Sequence, residues 1–415
     1  MDVEKELQKL LEQEGEKVIQ TCCSLVKIPS ENPPGDTREI AGFLYDLFRS
    51  EGIECELVAP RENMPSVVAT IRGGRPGKHV VFNGHMDTFP AGDRNRWSYD
   101  PFGGIIEGGR IYGRGAADMK GGLSACVHAV LLLNRIRNDI PGKVTVTCVS
   151  DEETLGPWGS QYLLKTRPDI RGDALINGEP SSLENIRVGE KGQFWYRFRC
   201  SSYGGHAAYA GLKPSAIDQL VALLTTLKGY AIEPMHVNGK VVDMMEEARD
   251  CFDALLCPGA TDAALRASVN VGRITGGLSV NMIAEDCSAE VDFRLPPGEK
   301  GERLRGWIEG VMGEFPACSF EEFNSYDAFL TEPDDPLVCI ARNTAEEVLG
   351  HPVYTTFSLG GTEARLWRAF GTPSITFGPN HHNMGSPDEY IEAKELPAVL
   401  SVHAFTALRF LMQDC

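Results

Sequence analysis

The sequence predicts an α/β fold in which a mixed sheet is flanked by helices and a smaller domain is inserted. Short runs rich in β-branched residues alternate with amphipathic segments along most of the chain, which is typical of a sheet covered by helices. The pattern changes in the middle of the chain and resumes toward its end. A chain of 415 residues also exceeds the length that one hydrophobic core usually supports, so two domains are expected.

The spacing of apolar residues predicts the first elements. Apolar side chains recur at helical spacing in residues 38–50, which indicates a helix that faces a core. Strand-like runs lie at 66–71, 79–84 and 143–149, and an apolar helix is expected over about 120–137. In such sheets, ligands bind where the strands end at their carboxyl edge.

The inserted domain is predicted from a change in element order. From about Gly189 the segments "GQFWYRFRC", "PSAIDQLVALLTTL", "ASVNVGRI" and "CSAEVDFRL" give strand, helix, strand and strand. After "PPGEKGERLR" the earlier alternation resumes. We therefore divide the chain into a first part of the catalytic domain at residues 1–188, an inserted domain at 189–303 and a second part of the catalytic domain at 304–415.

Composition limits the partners. The net charge is -18, from 40 basic and 58 acidic side chains, so a nucleic acid or an anionic membrane is not expected and a small molecule is. The charged N-terminal segment lacks the zones of a signal peptide, and no apolar run approaches the roughly 18 residues of a membrane span. We expect a cytoplasmic protein. The 12 cysteines show no CxxC or zinc-finger spacing and are expected to be reduced.

The first chemical candidates end an apolar strand. In "VVFNGHMDTFP" that strand leads into His85 and Asp87. Alternate side chains of a strand share one face, so the imidazole and the carboxylate can point the same way. This arrangement suits a metal-bound histidine that a carboxylate orients. An ordinary turn at a strand end is the alternative.

Acidic residues mark three further positions. Asp118 follows the glycine-rich "GRGAADMKGG", which matches neither phosphate-binding motif, so a nucleotide site is a weak alternative. One strand runs directly into Asp151, Glu152 and Glu153, and another ends at Glu179. Adjacent acids repel one another unless a cation compensates, although a solvated loop is also possible. Histidine and carboxylates suit Zn²⁺, with Mn²⁺ or Co²⁺ possible, and the surplus of acids favours two bridged ions.

These motifs resemble a known family. The segments "NGHMDTFP", "RWSYDPFGGIIEGGRIYGRGAADMKGG", "SDEETLG", "GEPSS", "GEKGQFWYRFRCSSYGGHAAYAGLKPSAIDQL", "NMIAEDCSAEVDFR" and "GGTEAR" occur in the order found in the acetylornithine deacetylase, succinyl-diaminopimelate desuccinylase, aminoacylase and glutamate carboxypeptidase family. Its members are dinuclear zinc hydrolases. The resemblance spans about residues 15–410 and implies a zinc-exopeptidase-like catalytic domain with an inserted ferredoxin-like α+β lid.

The resemblance also implies roles for individual residues. The resemblance implies that His85 and Glu179 bind one metal ion, that Glu153 and a C-terminal histidine bind the other, and that Asp118 bridges the two. Asp87 would orient His85. Glu152 would be the general base, taking a proton from the attacking water and passing it to the departing amine.

The inserted domain corresponds to the lid and dimerisation domain of the family, so a homodimer is expected. His206 matches a histidine that stabilises the oxyanion, although a glycine-loop histidine without function is the alternative. Asn281 and Arg294 match substrate contacts, and Arg294 suits a carboxylate unless it is a solvated strand-end residue. The turn at Gly360, Gly361 and Thr362 matches one that lets backbone approach the substrate.

The last metal ligand departs from the family pattern. That histidine usually lies four or five residues before the glutamate of an "H-x-x-(N/D)-E" pattern, and here Met384 or Gly385 occupies the slot. A longer loop could bring His382 or His381 back to the metal. We prefer His382 and keep a partly occupied second metal site as the alternative.

The activity expected from these residues is metal-dependent hydrolysis of an amide bond in an N-acyl amino acid or a related amine. A deacetylase or desuccinylase is preferred, and a dipeptidase or carboxypeptidase is the first alternative. Hydrolysis of another C–N bond, such as deamination, would use the same residues. A non-catalytic binding protein is the rival class, and the presence of the base and of the other ligands argues against it.

Overall fold

The computed structural model describes residues 3–413 and divides them into two compact units. The first unit comprises residues up to Val188, Thr331–Thr356 and the segment from Thr362 onward. The second comprises Gly189–Leu330 and Phe357–Gly361. The α/β class is confirmed, because helices and strands alternate along the chain and form a mixed sheet in the first unit.

The α-helices are α1 (Val3–Val26), α2 (Arg38–Ser50), α3 (Gly121–Arg135), α4 (Ser160–Thr166), α5 (Ala216–Lys228), α6 (Gly239–Glu247), α7 (Arg249–Leu255), α8 (Ala260–Ala264), α9 (Gly301–Met312), α10 (Pro336–Leu349), α11 (Ala364–Ala369) and α12 (Glu395–Met412). The strands are β1 (Glu54–Val58), β2 (Ser66–Arg72), β3 (Arg75–His85), β4 (Ile105–Glu107), β5 (Arg110–Tyr112), β6 (Pro141–Val149), β7 (Ala174–Asn177), β8 (Asn185–Glu190), β9 (Gly192–Ser201), β10 (Gly205–His206), β11 (Ser268–Gly276), β12 (Met282–Ile283), β13 (Asp286–Leu295), β14 (Cys318–Tyr326), β15 (Tyr354–Ser358), β16 (Ser374–Thr376) and β17 (Tyr390–Glu392).

The main sheet has the strand order β1-β2-β6-β3-β7-β16-β8-β15. Its centre is parallel, since β3 pairs in parallel with both β6 and β7, and β7 with β16. The strands β1, β2 and β6 are joined antiparallel, so the sheet is mixed. The central strands are buried along most of their length, which explains why they read as continuous apolar runs in the sequence.

Helices cover this sheet with apolar faces. A core cluster joins Val81 and Leu175 of the sheet to Leu163 of α4 and Trp367 of α11. α3 and α12 are buried over most of their residues, because both are apolar around nearly the whole helix.

Two helical segments have the length and hydropathy of a membrane span, Ala116–Arg135 and Glu395–Met412. The expectation that no segment reaches that length is therefore wrong. The apolar windows of these segments are 94% and 72% buried inside the protein. This burial is that of core helices, whose apolar surface faces other protein atoms.

The second unit has the order β9, α5, β11, β13, α9, β14, with a four-stranded sheet arranged β11-β13-β9-β14. All three pairings are antiparallel. This β-α-β-β-α-β order is that of a ferredoxin-like domain. Its core is formed where the two helices pack on one face of the sheet, with Leu220 and Leu223 of α5 and Leu304 and Ile308 of α9 against Phe194.

The second boundary of this unit differs from the predicted one. The unit extends to Leu330, not to 303. The reason is that α9 and β14 complete its motif: β14 pairs with β9 over nearly its whole length, and α9 contributes to the same core. Residues 304–330 therefore belong to the insertion.

Two cysteines are not reduced as expected. Cys200 on β9 and Cys318 on β14 face each other across the two strands and form a disulfide. The other nine cysteines in the described part of the chain are free. The sequence showed no sign of this pairing, because the two residues are 118 positions apart.

Candidate metal centre

The centre lies at the carboxyl ends of three neighbouring parallel strands. β3 ends at His85, β6 leads into residues 151–153, and β7 leads to Glu179. Because β3 pairs in parallel with β6 and β7, these three ends are adjacent at one edge of the sheet. This arrangement agrees with the prediction that ligands bind at the carboxyl edge of the sheet.

Three of the expected ligands approach within bonding range of a common ion. In the described part of the chain, His85, Asp118 and Glu153 each offer a ligand atom, and these atoms lie within 4.8 Å of one another. The His85 Nε2 atom is 3.0 Å from an oxygen of Asp118. His85 is almost fully buried, and Asp118 and Glu153 are half-buried, so the group is partly accessible to solvent.

The orientation of His85 comes from a backbone atom. Its Nδ1 donates a hydrogen bond of 2.8 Å to the carbonyl oxygen of Asp87, while the nearer Asp87 carboxylate oxygen is 3.8 Å away. A proton on Nδ1 leaves the Nε2 lone pair free for a metal. We expected the carboxylate of Asp87 to orient the ring. The structure shows that the backbone carbonyl of Asp87 orients it instead.

The Asp87 carboxylate organises the acidic loop instead. Its two oxygens accept the backbone N–H groups of Glu152 and Glu153, both at 3.2 Å. One oxygen also accepts the side-chain amide of Asn32 at 2.9 Å. These bonds fix the backbone from which the two glutamates project, so Asp87 positions both.

The other carboxylates are also held by backbone N–H groups. An oxygen of Glu153 accepts the N–H of Phe89 at 2.9 Å, and one of Glu179 accepts that of Glu363 at 3.1 Å. Glu389 accepts the N–H groups of Ala117 and Asp118 at 3.0 and 3.3 Å. Each donor fixes its carboxylate in one orientation, which suits a preorganised site.

Burial gives this centre its electrostatic character. Burial, together with neighbouring negative charge, raises the pKa values of Glu152, Glu153 and Glu179 above the usual range. Burial opposes protonation of His85, but the hydrogen bond and the charge of Asp118 raise its pKa well above the ordinary value. So many buried acids around one imidazole call for positive charge, which a divalent cation supplies.

The two histidines of the loop 378–390 differ in their surroundings. The ring of His382 stacks on Tyr390, with centroids 4.4 Å apart and planes 8° from parallel, and the two backbones form a bridge. For His381, burial lowers the pKa, the charge of Arg187 lowers it further, and the charge of Asp118 opposes them. The charge of Asp118 therefore reaches His381, although the cluster of ligand atoms found in the described part of the chain contains neither histidine.

The remaining candidates lie mostly in the second unit. His206 is on β10, which pairs with β12, and the N–H of Ala207 donates to the carbonyl of Asn281 at 2.9 Å. His206 and Asn281 are therefore neighbours. Arg294 on β13 forms an ion pair with Asp292 at 2.9 Å. Gly360 and Gly361 belong to the second unit, and Thr362 opens the last segment of the first.

Four residues around the centre were not singled out from the sequence. Glu389 forms an ion pair with Arg114, and both are buried. Asn32 joins Asp87 to Asp151 through its side-chain amide. Arg187 is half-buried, feels the charges of Glu179 and Asp118, and donates to the carbonyls of Pro180 and Ser181. Of these, only Glu389 carried a signal, as the glutamate that ends the histidine pattern.

Comparison with known proteins gives a consistent result. A profile described as peptidase family M20/M25/M40 matches residues 81–409. Succinyl-diaminopimelate desuccinylase of Methylocella silvestris is 28% identical over 401 residues, covering 93% of this chain and 96% of that protein. The protein of the same name from Parvibaculum lavamentivorans is 28% identical over 400 residues, covering 93% of each chain.

Solved structures share the fold. A metallo-carboxypeptidase of the M20 family from Sulfolobus solfataricus aligns with a TM-score of 0.79 at 19% identity, covering 95% of this chain and 99% of that one. Human carnosine dipeptidase 1 aligns with a TM-score of 0.76 at 17% identity, covering 100% of this chain and 99% of that one. At these identities the likeness concerns the architecture alone.

Proposed function

The chain belongs to peptidase family M20/M25/M40, and from this premise we propose that it removes the acyl group from an N-acyl amino acid with two zinc ions. It is a metal-dependent hydrolase of amide bonds. The acyl-amino acid substrate is proposed because the similar desuccinylases act on such a bond by name. The desuccinylases are similar to this chain in sequence over nearly its whole length, whereas the peptidases of known structure are similar to it in fold alone.

The observation that carries the proposal is the convergence of His85, Asp118 and Glu153 at the sheet edge. One imidazole and several carboxylates are donors that zinc accepts, and manganese or cobalt would fit the same set. Glu179 lies close enough to His85 and Asp118 for their charges to affect its pKa, so we propose that it shares one ion with His85 and that Glu153 holds the second. We propose that Asp118 bridges the two ions.

In the proposed mechanism, Glu152 moves the proton. When bound, the metal ions would polarise the substrate carbonyl and lower the pKa of the attacking water. Glu152 has its backbone fixed by Asp87, is not itself one of the three clustered ligands, and takes the proton from that water. It then delivers the proton to the departing amine. Glu153, whose oxygen accepts the Phe89 N–H, serves as a ligand.

We propose His381 as the histidine of the second ion, with His382 as the alternative. His382 is engaged by ring stacking and by both backbone bonds to Tyr390, whereas the charge of Asp118 acts on His381. The position that the family's histidine usually occupies is taken here by Gly385. Its backbone φ is 73°, a left-handed conformation that glycine adopts more easily than other residues.

The roles of the second unit remain proposals from the family resemblance. We propose that His206 stabilises the oxyanion, that Asn281, Arg294 and the turn at residues 360–362 contact the substrate, and that two copies associate through this unit. Exposed apolar side chains support association: Val221 on α5 and Leu278 and Val280 beyond β11 are 57%, 89% and 99% exposed.

A cytoplasmic location is also proposed. The nine free cysteines in the described residues favour a reducing compartment, and the Cys200–Cys318 disulfide counts against one. The redox state of Cys200 and Cys318 in the cell is measured by mass spectrometry of protein that is alkylated at the moment of lysis. Two free thiols at these positions would support the cytoplasm.

The substrate and metal are tested together. Purified protein is stripped with a chelator, reloaded with Zn²⁺, Mn²⁺ or Co²⁺ and assayed with N-acetyl amino acids, N-succinyl amino acids and dipeptides. We expect about two ions per chain and hydrolysis of acyl-amino acids by the loaded form only. Full activity after chelation would contradict metal dependence, and hydrolysis restricted to dipeptides would replace the proposed substrate.

A further inference from the structure

Large apolar side chains are exposed beside the metal centre. In the described part of the first unit, seven large apolar side chains are exposed: Leu57, Phe89, Ile106, Trp158, Phe370, Met384 and Met412. Three of these, Phe89, Trp158 and Met384, lie on loops that also carry candidate metal-site residues. Solvent-exposed apolar side chains that cluster at one place mark a binding surface more often than scattered ones do.

Phe89 is tied directly to the centre. Its backbone N–H donates a hydrogen bond of 2.9 Å to the carboxylate of Glu153, which is a candidate metal ligand. Phe89 is 40% exposed. The backbone of Phe89 is therefore held at a candidate metal ligand, and the residue is accessible to a bound molecule.

Met384 belongs to the same surface. A Cβ placed on the adjacent Gly385 would be 3.7 Å from the Phe89 ring, so the backbone after Met384 lies against that ring. Met384 is 42% exposed. The Met384 side chain precedes this contact by one residue, and a flexible thioether adapts to chains of different shape.

We propose that Phe89 and Met384 form a subsite for an apolar acyl group, an aliphatic or aromatic one, in preference to the dicarboxylic succinyl group. This inference rests on the proposed function, because the acyl group is placed by its amide at the metal centre. An apolar chain gains by leaving water against these side chains, whereas the free carboxylate of a succinyl group would lose hydration there.

The subsite is tested by binding, independently of turnover. Affinities of the zinc-loaded protein are measured by calorimetry for acetohydroxamic, hexanohydroxamic and succinic monohydroxamic acids, which share one metal-binding head. A fully buried methylene is worth about a fourfold gain in affinity, and half-burial about twofold, so the hexanoyl compound should bind about 16-fold more tightly than the acetyl compound. The succinyl compound should bind more weakly than the hexanoyl one.

Variants locate the effect. Phe89→Ser should reduce the hexanoyl to acetyl ratio to about fourfold or less, and Phe89→Leu should restore part of it. Leu57→Ser is the matched control, since Leu57 is similarly exposed, at 47%, on the edge strand β1. An unchanged ratio in Phe89→Ser, or a succinyl compound that binds as tightly as the hexanoyl one, would overturn the subsite.

The same compounds separate this inference from the proposed function. A length-dependent affinity without hydrolysis of any N-acyl amino acid would refute the proposed reaction and leave the subsite standing. Hydrolysis of N-acyl amino acids without a length-dependent affinity would support the proposed reaction and refute the subsite. Zinc content is measured for each variant, so that a lost metal is not mistaken for a lost subsite.

Discussion

At the scale of single residues, two neighbouring carboxylates differ in their contacts, and we propose different roles for them. Glu152 and Glu153 are adjacent, and Asp87 accepts both of their N–H groups. The side chain of Glu153 accepts the Phe89 N–H and belongs to the ligand cluster, and we therefore propose Glu152 for proton transfer. The sequence identified both acids, but their division of roles came from the resemblance.

Replacing Glu152 by Gln tests the role of the general base. The amide keeps the size of the side chain and cannot accept a proton, so we expect a loss of kcat of about 10²- to 10⁴-fold with unchanged metal content. Glu54→Gln on the exposed strand β1 is the control and should leave both unchanged. Activity within about tenfold of the wild type would assign the base elsewhere.

Comparing His381→Ala with His382→Ala identifies the last ligand. We expect His381→Ala to lower the occupancy of one of the two proposed zinc sites, because the charge of Asp118 acts on its ring. His382→Ala removes the stack on Tyr390 and should retain most of the metal. Elemental analysis after dialysis at fixed free zinc measures the difference, and the opposite order would return the ligand to His382.

At the scale of elements, a segment distant in sequence holds the turn that carries Asp118. Glu389 precedes β17, and its carboxylate accepts N–H groups of the turn and pairs with Arg114. β17 also pairs with β5, two residues before Arg114. The turn at Asp118, which is followed by a cis peptide bond, is therefore anchored by the C-terminal part of the chain.

Glu389→Gln tests this anchor. The amide keeps one acceptor oxygen and loses the charge opposite Arg114, so we expect zinc affinity to fall by about 10- to 100-fold, as for groups that support metal ligands. Glu392→Gln is matched to it, because Glu392 pairs with Arg110 on the same strands and its side chain is partly exposed. Equal zinc affinities in the two variants would show that the anchor has no effect on the site.

The sequence predicted elements and individual candidates better than it predicted long-range pairs. The helix over 38–50 and the buried strands followed from local periodicity, and the residues at the strand ends followed from the edge rule for parallel sheets. The extent of the insertion and the Cys200–Cys318 pair depend on β14 returning to β9, which no local pattern encodes. The orientation of His85 depends on a backbone carbonyl, which every residue has.

At the scale of the whole molecule, stability depends on polar groups buried among apolar helices. His403 on α12 is fully buried and donates from Nε2 to the Phe377 carbonyl at 2.7 Å. Burial lowers its pKa to about 4 from an ordinary 6.5, against the effect of that bond. The folded protein therefore keeps this ring neutral where the unfolded chain would protonate it.

This difference predicts a loss of stability in acid. As the pH falls from 6.5 to about 4, the unfolded chain binds a proton that the folded one does not, so the free energy of unfolding decreases by about 3 kcal/mol from this group. His403→Gln keeps a donor for Phe377 and should flatten the pH dependence in that window. Urea unfolding of both proteins from pH 7.5 to 4.5 measures it, with His351→Gln as the control, and parallel curves would contradict the assignment.

The buried carboxylates at the sheet edge make the metal a partner in folding as well as in catalysis. Without a cation, the folded protein holds Glu152, Glu153 and Glu179 close together with raised pKa values. The unfolded chain does not bring these carboxyl groups together, so their proximity destabilises the folded state. An ion that binds only the folded state adds about 4 kcal/mol of stability when its free concentration is about 1,000 times its Kd. A cell short of this metal would then lose the enzyme by turnover of unfolded chains, and its abundance would report the supply of the metal.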